Sequence, residues 1–501
     1  MQQNIAPISL ADLVSESEVK KITIVAWRDL EDRTAGGSEV HAHEIAKRWA
    51  EAGLEVTMRT ASTSNNDSIS YRDGYKIIRK STKYTVFGQT LLSGLTGMVP
   101  RSDALVEIWN GMPFLSPLWS KGPRVVILHH VHEKDLWRSV LPIGLAELGA
   151  FFERKVAPKF YRNTRVITPS TSSANEVIEL LGWPDHQVSV VHPGVNARFR
   201  PFGKKSEKPM VFAIGRLVEV KRYDWVIKAV DRVRSKIGDV QLVIAGEGVA
   251  AEELRTLVSD LGASSWCKLV GKISDEDLVH YYRKAWVVIS ASMREGWGMT
   301  LTEAGACGTL SLASRIAGHE DAVIDGQTGY LFDTLDQLTD LLQHVLTDEK
   351  LARRLSIGAL KHAAKLTWDA AATSAFQIVD RSYREYNGKL EYLLPKYNQL
   401  KIVNRRAAER ILIDIPIKVN DQKGRLVDIS STGALITPID EFWFDFGDLL
   451  KAQVDIDSGY LDLDAAVVRY ATDQEGILGF GVWFINQPKN LQELLARFSQ
   501  Y

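Results

Sequence analysis

Apolar residues along this chain fall into short β-branched runs, separated by glycine turns and by stretches with helical spacing. Residues 21–27 (KITIVAW) predict a buried parallel strand. Gly36 and Gly37 follow, then Ser38, which suits a helix N-cap, and a helix from Glu39 to about Ala52. Gly53 ends that helix, and residues 54–58 predict the next strand. Strand, glycine turn, helix and strand make one right-handed βαβ unit. Further strands are expected at 124–128 (RVVIL) and 165–168. The second leads into a helix capped by Ser170 or Thr171 and running to about Leu181, and residues 190–195 close a first domain. The pattern then repeats, with strands at 211–214, 240–245, 269–272 and 287–289 and a helix capped by Asp275. Helices near 335–347, 350–365 and 368–384 finish it.

Two stretches break this alternation. Residues 75–84 (YKIIRKSTKY) carry Lys76, Arg79, Lys80 and Lys83 beside aromatic residues. They are expected to form a solvated basic face, with contact to anionic lipid or an acidic acceptor as the alternative. Residues 86–99, rich in Leu and Gly, are expected to form a mobile acceptor loop. From about residue 385 the period itself changes. A connector is followed by short alternating runs (ILIDIPIKV, RLVDIS, GALITPI, LKAQVDI, DAAVVRYA, ILGFGVWF), which predict a small β-barrel with a closing helix at 491–498. Asp455 with Asp457, and Asp462 with Asp464, alternate with apolar residues as a strand requires.

Composition narrows the class. A chain of 501 residues suggests about three domains. A formal charge of −1 gives no reason to expect a nucleic-acid partner. Two cysteines, Cys267 and Cys307, offer no disulfide framework, which fits a reducing cytosol. The first residues lack a basic segment followed by an apolar core, and no apolar run reaches 18 residues. A cytoplasmic protein is therefore expected, with peripheral attachment at the inner face of the cell membrane left open.

The densest candidate chemistry lies at residues 295–308 (EGWGMTLTEAGACG). Glu295 would stand in a glycine turn after a strand, and Glu303 on the first turns of the next helix. A helix start offers free N–H groups, and glycine lets a ligand approach the backbone. Two carboxylates there suit sugar hydroxyls better than phosphate. Arg216 and Lys221 stand five apart across another strand-to-helix turn and could clamp a diphosphate. His129, His130 and His132 follow the strand at 124–128, where ligands of open α/β sheets bind, with Glu133 and Asp135 as neighbours; a catalytic histidine and a zinc site are both open. In the tail, Arg406 and Arg410 precede Asp428, Ser430 and Gly433. Arginine forks and a carboxylate in that order suit a guanine dinucleotide. Each feature alone has an ordinary explanation as a turn, a surface cation or a solvated acid.

Their order does not. Residues 295–308 resemble the glutamate–seven–glutamate signature of glycosyltransferase family 4, of the GT-B type. Other family motifs match at Gly36, Gly37 and Glu39, at Pro193 to Asn196, at Gly215, Arg216, Leu217 and Lys221, at Gly246 to Gly248, and at 325–331 (DGQTGYL). Ala317, Gly318 and His319 depart from the family's glycine-rich turn. The resemblance covers roughly residues 20–384. It implies an α/β fold with two Rossmann-like domains facing a cleft, and a retaining transferase that uses a UDP- or GDP-sugar without a metal. It further implies Glu295 against the donor sugar, Glu303 on the ribose, Arg216 and Lys221 on the diphosphate, and Gly37, Gly246 and Gly298 along the donor. A catalytic histidine is implied at His132 or His130.

The tail motifs, Arg406-Ala-Ala-Glu-Arg410 and Asp428-Ile-Ser-Ser-Thr-Gly433, resemble PilZ domains, which bind cyclic di-GMP. That resemblance implies an allosteric nucleotide held by Arg405, Arg406, Arg410, Asp428, Ser430 and Gly433. The expected domains are 1–195 (acceptor side), 196–384 (donor side), a connector at 385–400 and the PilZ barrel at 401–501. The expected function is exopolysaccharide or surface-glycan synthesis on a glycan or lipid-linked acceptor, activated by cyclic di-GMP. The competing readings are a cyclic di-GMP receptor on a degenerate transferase body and, less well fitted, a nucleotide-sugar epimerase or glucan synthase.

Overall fold

The computed structural model describes residues 9–32, 35–63, 67–132, 137 and 143–388. In the tail it describes 411–420, 422–429, 433–438, 449–456, 459–472 and 478–484. The chain divides into two compact units, 1–390 and 391–501.

The first unit contains two sheets. One has eight strands: β1 Lys21–Val25, β2 Glu55–Thr60, β3 Ile69–Arg72, β4 Tyr75–Arg79, β5 Ala104–Trp109, β6 Arg124–Leu128, β7 Arg165–Thr168 and β8 Val188–Val190. Their order is β3-β4-β2-β1-β5-β6-β7-β8, parallel except for β3 against β4. The other has six parallel strands: β9 Met210–Ile214, β10 Gln241–Ala245, β11 Cys267–Gly271, β12 Val287–Ser290, β13 Leu310–Ser314 and β14 Gly329–Phe332, in the order β11-β10-β9-β12-β13-β14. Central strands such as β5 are buried along their whole length, because helices cover both faces. Strand order reverses between β1 and β5 in one sheet and between β9 and β12 in the other, and crevices open at the carboxyl ends of those pairs.

The helix Trp368–Tyr386 closes this unit by returning to the first sheet. Trp368, Ala372, Phe376 and Val379 share a buried core with Ile22, Ile24 and Trp49. The Trp49 indole N–H donates to the Ala372 carbonyl at 2.9 Å. Gly194 lies against this crossing, where a Cβ would stand 2.1 Å from the Trp368 nitrogen. Val195 pairs with Thr367 beside it.

Four local expectations need correction. Residues 75–79 are the inner strand β4, not a solvated face. Tyr75 and Ile77 are fully buried, and buried Arg79 donates through Nε to Asp29 at 3.0 Å. The charge run conceals a strand because its inward cation is neutralised by an acid fifty residues earlier. Residues 86–95 form a helix, Val86–Leu95, rather than a loop. The helix after β1 is Gly37–Glu51 with Gly36 at the N-cap. Ser38 is thus inside the helix rather than its N-cap, and Glu39 accepts from the Gly36 N–H at 2.8 Å. Ser274, not Asp275, caps the helix Asp275–Lys284, its hydroxyl accepting from the Asp277 N–H at 3.1 Å.

The second unit is a closed antiparallel barrel of β15 Ile411–Val419, β16 Gln422–Ile429, β17 Gly433–Pro438, β18 Leu449–Ile456, β19 Gly459–Thr472 and β20 Leu478–Phe484. The strand order is β15-β16-β17-β20-β19-β18. Leu450, Ala452 and Val454 face inward, while Lys451 and Gln453 are exposed, the alternation of a strand with one wet face. Asp462 and Asp464 are exposed on β19. The closing helix at 491–498 and most of the connector lie outside the described residues. Among the described residues no helix is long and apolar enough to cross a membrane.

Candidate active site

The site is assembled from the turns that leave β9 and β12 at the switch point of the second sheet. After β12 the chain turns through Ser292 and Glu295 into the helix Met299–Ala306. Glu295 accepts from the Ser292 hydroxyl at 2.8 Å and is paired with the Lys221 ammonium. Burial alone would raise this carboxyl. Lys221 first, with His319 and the Ser292 bond, outweighs burial and holds it at about 2. Glu295 is therefore a fixed anion in a largely enclosed place.

Glu303 lies on that helix, in a different setting. It accepts from the Tyr282 hydroxyl at 2.9 Å, and no ion pair reaches it among the described residues. Burial pushes its carboxyl up to about 7. Gly298, at φ +108°, begins this helix, and a Cβ there would come within 3.0 Å of the His319 ring. That ring is fully buried and neutral at ordinary pH. Burial lowers it to about 4, and its Nδ1–H donates to the Ser314 carbonyl at 3.0 Å. His319 was visible in the sequence only as a departure from a glycine-rich turn. Its packing behind Glu295 and Gly298 gives that departure a structural role.

The two cations expected together occupy unlike surroundings. Lys221 is engaged with Glu295, whereas Arg216 is exposed and its guanidinium makes no hydrogen bond or ion pair among the described residues. Gly246 needs its φ of +135° and its missing Cβ for packing, since a Cβ would stand 1.9 Å from the Gly215 carbonyl oxygen. It ties the β10 turn to the β9 turn that carries Arg216.

The first sheet faces this cluster. At Gly37 a Cβ would lie 3.2 Å from the Met299 sulfur, so the turn after β1 abuts the helix that carries Glu303. At Gly296 a Cβ would stand 2.3 Å from the His129 carbonyl oxygen, so the Glu295 turn meets the end of β6. His129 itself is bonded ring to ring with His41 at 2.9 Å. His130 and His132 stack with ring centroids 4.7 Å apart. Burial lowers both rings, His130 to about 4; Arg294 acts on both, and Glu295, Lys221 and Arg216 act further on His130. His132 packs instead beside Gly111 and Trp137, and its backbone N–H donates to buried Glu153 at 3.0 Å. Glu153, pushed up to about 8 by burial, also accepts from the Trp137 indole at 2.9 Å. Periodicity gave no sign of it. Glu133 and Asp135 lie outside the described residues. Among the described residues no group of three or more His, Cys, Asp or Glu side chains is arranged to hold a metal ion.

In the barrel, Asp428 pairs with Leu412 on one side and Leu435 on the other, at a register shift in both ladders. Gly433 opens β17 opposite Trp483. Backbone placement thus brings Asp428 and Gly433 to one end of the β16–β17 hairpin. Arg405, Arg406, Arg410 and Ser430 lie outside the described residues.

Residues 35–199 match Glycosyltransferase Family 4, residues 195–362 match the glycosyl transferases group 1, and residues 404–501 match the PilZ domain. The chain belongs to glycosyltransferase family 4 and carries a PilZ domain. It is similar to the D-inositol 3-phosphate glycosyltransferase of Thermobispora bispora, with 27% identity over 394 residues, 69% of this chain and 89% of that protein. It is also similar to the GDP-mannose-dependent alpha-(1-6)-phosphatidylinositol monomannoside mannosyltransferase of Mycolicibacterium smegmatis, with 26% identity covering 66% and 88%. The solved sucrose-phosphate synthase of Thermosynechococcus elongatus has the same fold, with a TM-score of 0.62 and 20% identity over 74% of this chain and 99% of that one. The family 4 body is thus a GT-B pair of Rossmann-like sheets, and the cluster above sits where those sheets face each other.

Proposed function

We propose that this family 4 glycosyltransferase moves a sugar from a nucleotide-sugar donor to a glycan or lipid-linked acceptor with retention of configuration, under control by cyclic di-GMP. The observation that carries the reading is the Glu295–Lys221 pair beside open Arg216 at the second sheet's switch point. Glu295, ionised at every ordinary pH, accepts from the donor sugar's hydroxyls. Arg216, without a protein partner, takes the diphosphate, and Lys221 adds positive charge as that group leaves. Two cations can offset the departing charge with no metal required. Glu303 accepts from the ribose hydroxyls, while Gly37 and Gly298 let the donor lie against backbone. Of the two candidate histidines, His130 is the one that feels Glu295, Lys221 and Arg216, and it is assigned to the reacting sugar; His132 supports it from behind. In the retaining reaction of this family the leaving phosphate helps to deprotonate the acceptor hydroxyl, and that step is carried over here.

The donor is a UDP- or GDP-sugar. The second relative named above is GDP-mannose-dependent, and a structural neighbour, the Anabaena protein HepE, was solved with UDP and glucose. The relatives' names point to inositol phosphate and phosphatidylinositol-based acceptors, which supports a polyol or lipid-linked acceptor at the inner face of the cell membrane. In the PilZ domain, Arg405, Arg406, Arg410, Asp428, Ser430 and Gly433 bind cyclic di-GMP, which activates transfer in surface-glycan or exopolysaccharide synthesis. The test is transfer by wild type and by an Arg406→Ala, Arg410→Ala double variant, with and without cyclic di-GMP. Activation by the dinucleotide in wild type only is expected. An equal response in both sinks the regulatory half of the reading.

A further inference from the structure

A contact between the two sheets, outside the proposed donor cluster, ties them together directly behind Glu295. Asp321, on the short helix His319–Ala322 of the second half, reaches the amino terminus of the helix Thr171–Leu181 in the first half. Its Oδ1 accepts from the Thr171 N–H at 3.0 Å. Its Oδ2 accepts from the Ser172 N–H at 3.1 Å and the Ser172 hydroxyl at 2.6 Å. Ser172 Oγ in turn accepts from the Gly318 N–H at 2.7 Å. Gly318, at φ +84°, is pressed on the Glu295 turn, where a Cβ would lie 2.6 Å from the Glu295 carbonyl oxygen. One residue on, the Ser173 hydroxyl lies 3.1 Å from the His129 carbonyl and 3.3 Å from that of Gly296, joining both halves again.

A helix start presents unsatisfied N–H groups and favours a carboxylate. Here that carboxylate comes from the opposite half of the protein, and the serine it holds also grips the turn against Glu295. We infer that Asp321 and Ser172 form a clasp that holds the cleft closed and sets the Glu295 turn in register with His129 and His130. Asp321 is thus a positioning residue, acting through Ser172 and Gly318. The bonds are polar and lie at the half-exposed rim, so the clasp can open and re-form as the cleft exchanges ligands. Its effect on transfer rests on the proposed function; its existence does not.

Hydrogen–deuterium exchange on the full chain tests the clasp without a known donor. In Asp321→Ala, amides at 171–173 and 316–319 should exchange about tenfold faster than in wild type, while β9 and β12 are unchanged. Asp321→Asn, which keeps one acceptor oxygen, should recover part of the protection. Ser172→Ala should release 316–319 more than 171–173. UDP or GDP should slow exchange at 171–173 in wild type and fail to do so in Asp321→Ala. Equal exchange at 171–173 in wild type and Asp321→Ala overturns the clasp, as does acceleration spread evenly over both sheets. If neither UDP nor GDP protects any segment of wild type, the donor reading fails while the free-protein comparison still decides the clasp.

Discussion

Glu295 and Glu303 stand eight residues apart, both partly buried, and the protein treats them in opposite ways. The turn after β12 gives Glu295 a lysine, a serine hydroxyl and a histidine behind it, and its carboxyl is held at about 2. Glu303, on the helix that follows, accepts from one phenol, that of Tyr282 on the helix Asp275–Lys284, and its carboxyl rises to about 7. Burial pushes both acids the same way, so the difference lies in their partners, Lys221 first among those of Glu295. A donor would meet a permanent anion at one end and, at the other, an acid that ionises once hydroxyls are there to donate to it. One signature with two identical residues therefore encodes two chemical states.

The largest break of that comparison is Glu295→Gln. It keeps the shape and removes the anion, leaving Lys221 half-buried without its partner. Transfer should fall on the order of 10²- to 10³-fold, the scale of losing one preorganised electrostatic contact, read as kcat. A variant within threefold of wild type would contradict the assignment. Lys221→Ala should make Glu295 behave like Glu303. With its main cation gone, burial lifts Glu295 above the usual carboxylate range. At saturating donor, kcat that is flat with pH in wild type should then decline as pH is lowered from about 7 to 5. A pH profile parallel to wild type would refute this.

Stability sharpens the contrast with smaller effects. Glu295 has a folded value of about 2, below the unfolded value of roughly 4.3. Its contribution is present above that unfolded value and lost as pH falls toward about 2. The melting-temperature gap between wild type and Glu295→Gln should therefore close on acidification. Glu303 is opposite in sign. Its folded value of about 7 lies above the unfolded one, so its contribution is present below roughly pH 4.3 and lost as pH rises through about 7. Relative to Glu303→Gln, wild type should lose stability between pH 5 and 8. UDP or GDP affinity should rise over the same range in wild type, because ribose hydroxyls favour the ionised acid, and should be flat in Glu303→Gln. Calorimetry at three pH values checks both signs.

Much of this site was legible because its chemistry is local. Glu295, Glu303 and Gly298 lie within nine residues, so turn, helix start and acids could be placed from one stretch. The same holds for the parallel strands, whose apolar runs need no partner to be recognised. What escaped detection depends on residues far apart in the chain. Arg79 looks like a surface charge until Asp29 is folded against it. Lys221 and Arg216 look alike in sequence, yet one meets an acid 74 residues away and the other meets none. His319 reads as a substitution in a turn, though it is the buried wall behind Gly298. Asp321 carries no motif at all, and its bonds to Thr171 and Ser172 span about 150 positions.

Arg216 offers the most direct measurement. It is exposed and unpaired among the described residues, so replacing it should change stability by less than about 0.5 kcal/mol. Release of UDP or GDP from a panel of nucleotide sugars should be followed for wild type and Arg216→Ala, with melting temperatures for both. The account predicts that wild type turns over one donor and that Arg216→Ala does so about a hundredfold more slowly with an unchanged melting temperature. Equal turnover by the two proteins would contradict the assigned diphosphate site. Failure of every donor to bind or react with wild type, beside tight binding of cyclic di-GMP, would instead make the transferase body a scaffold for a receptor.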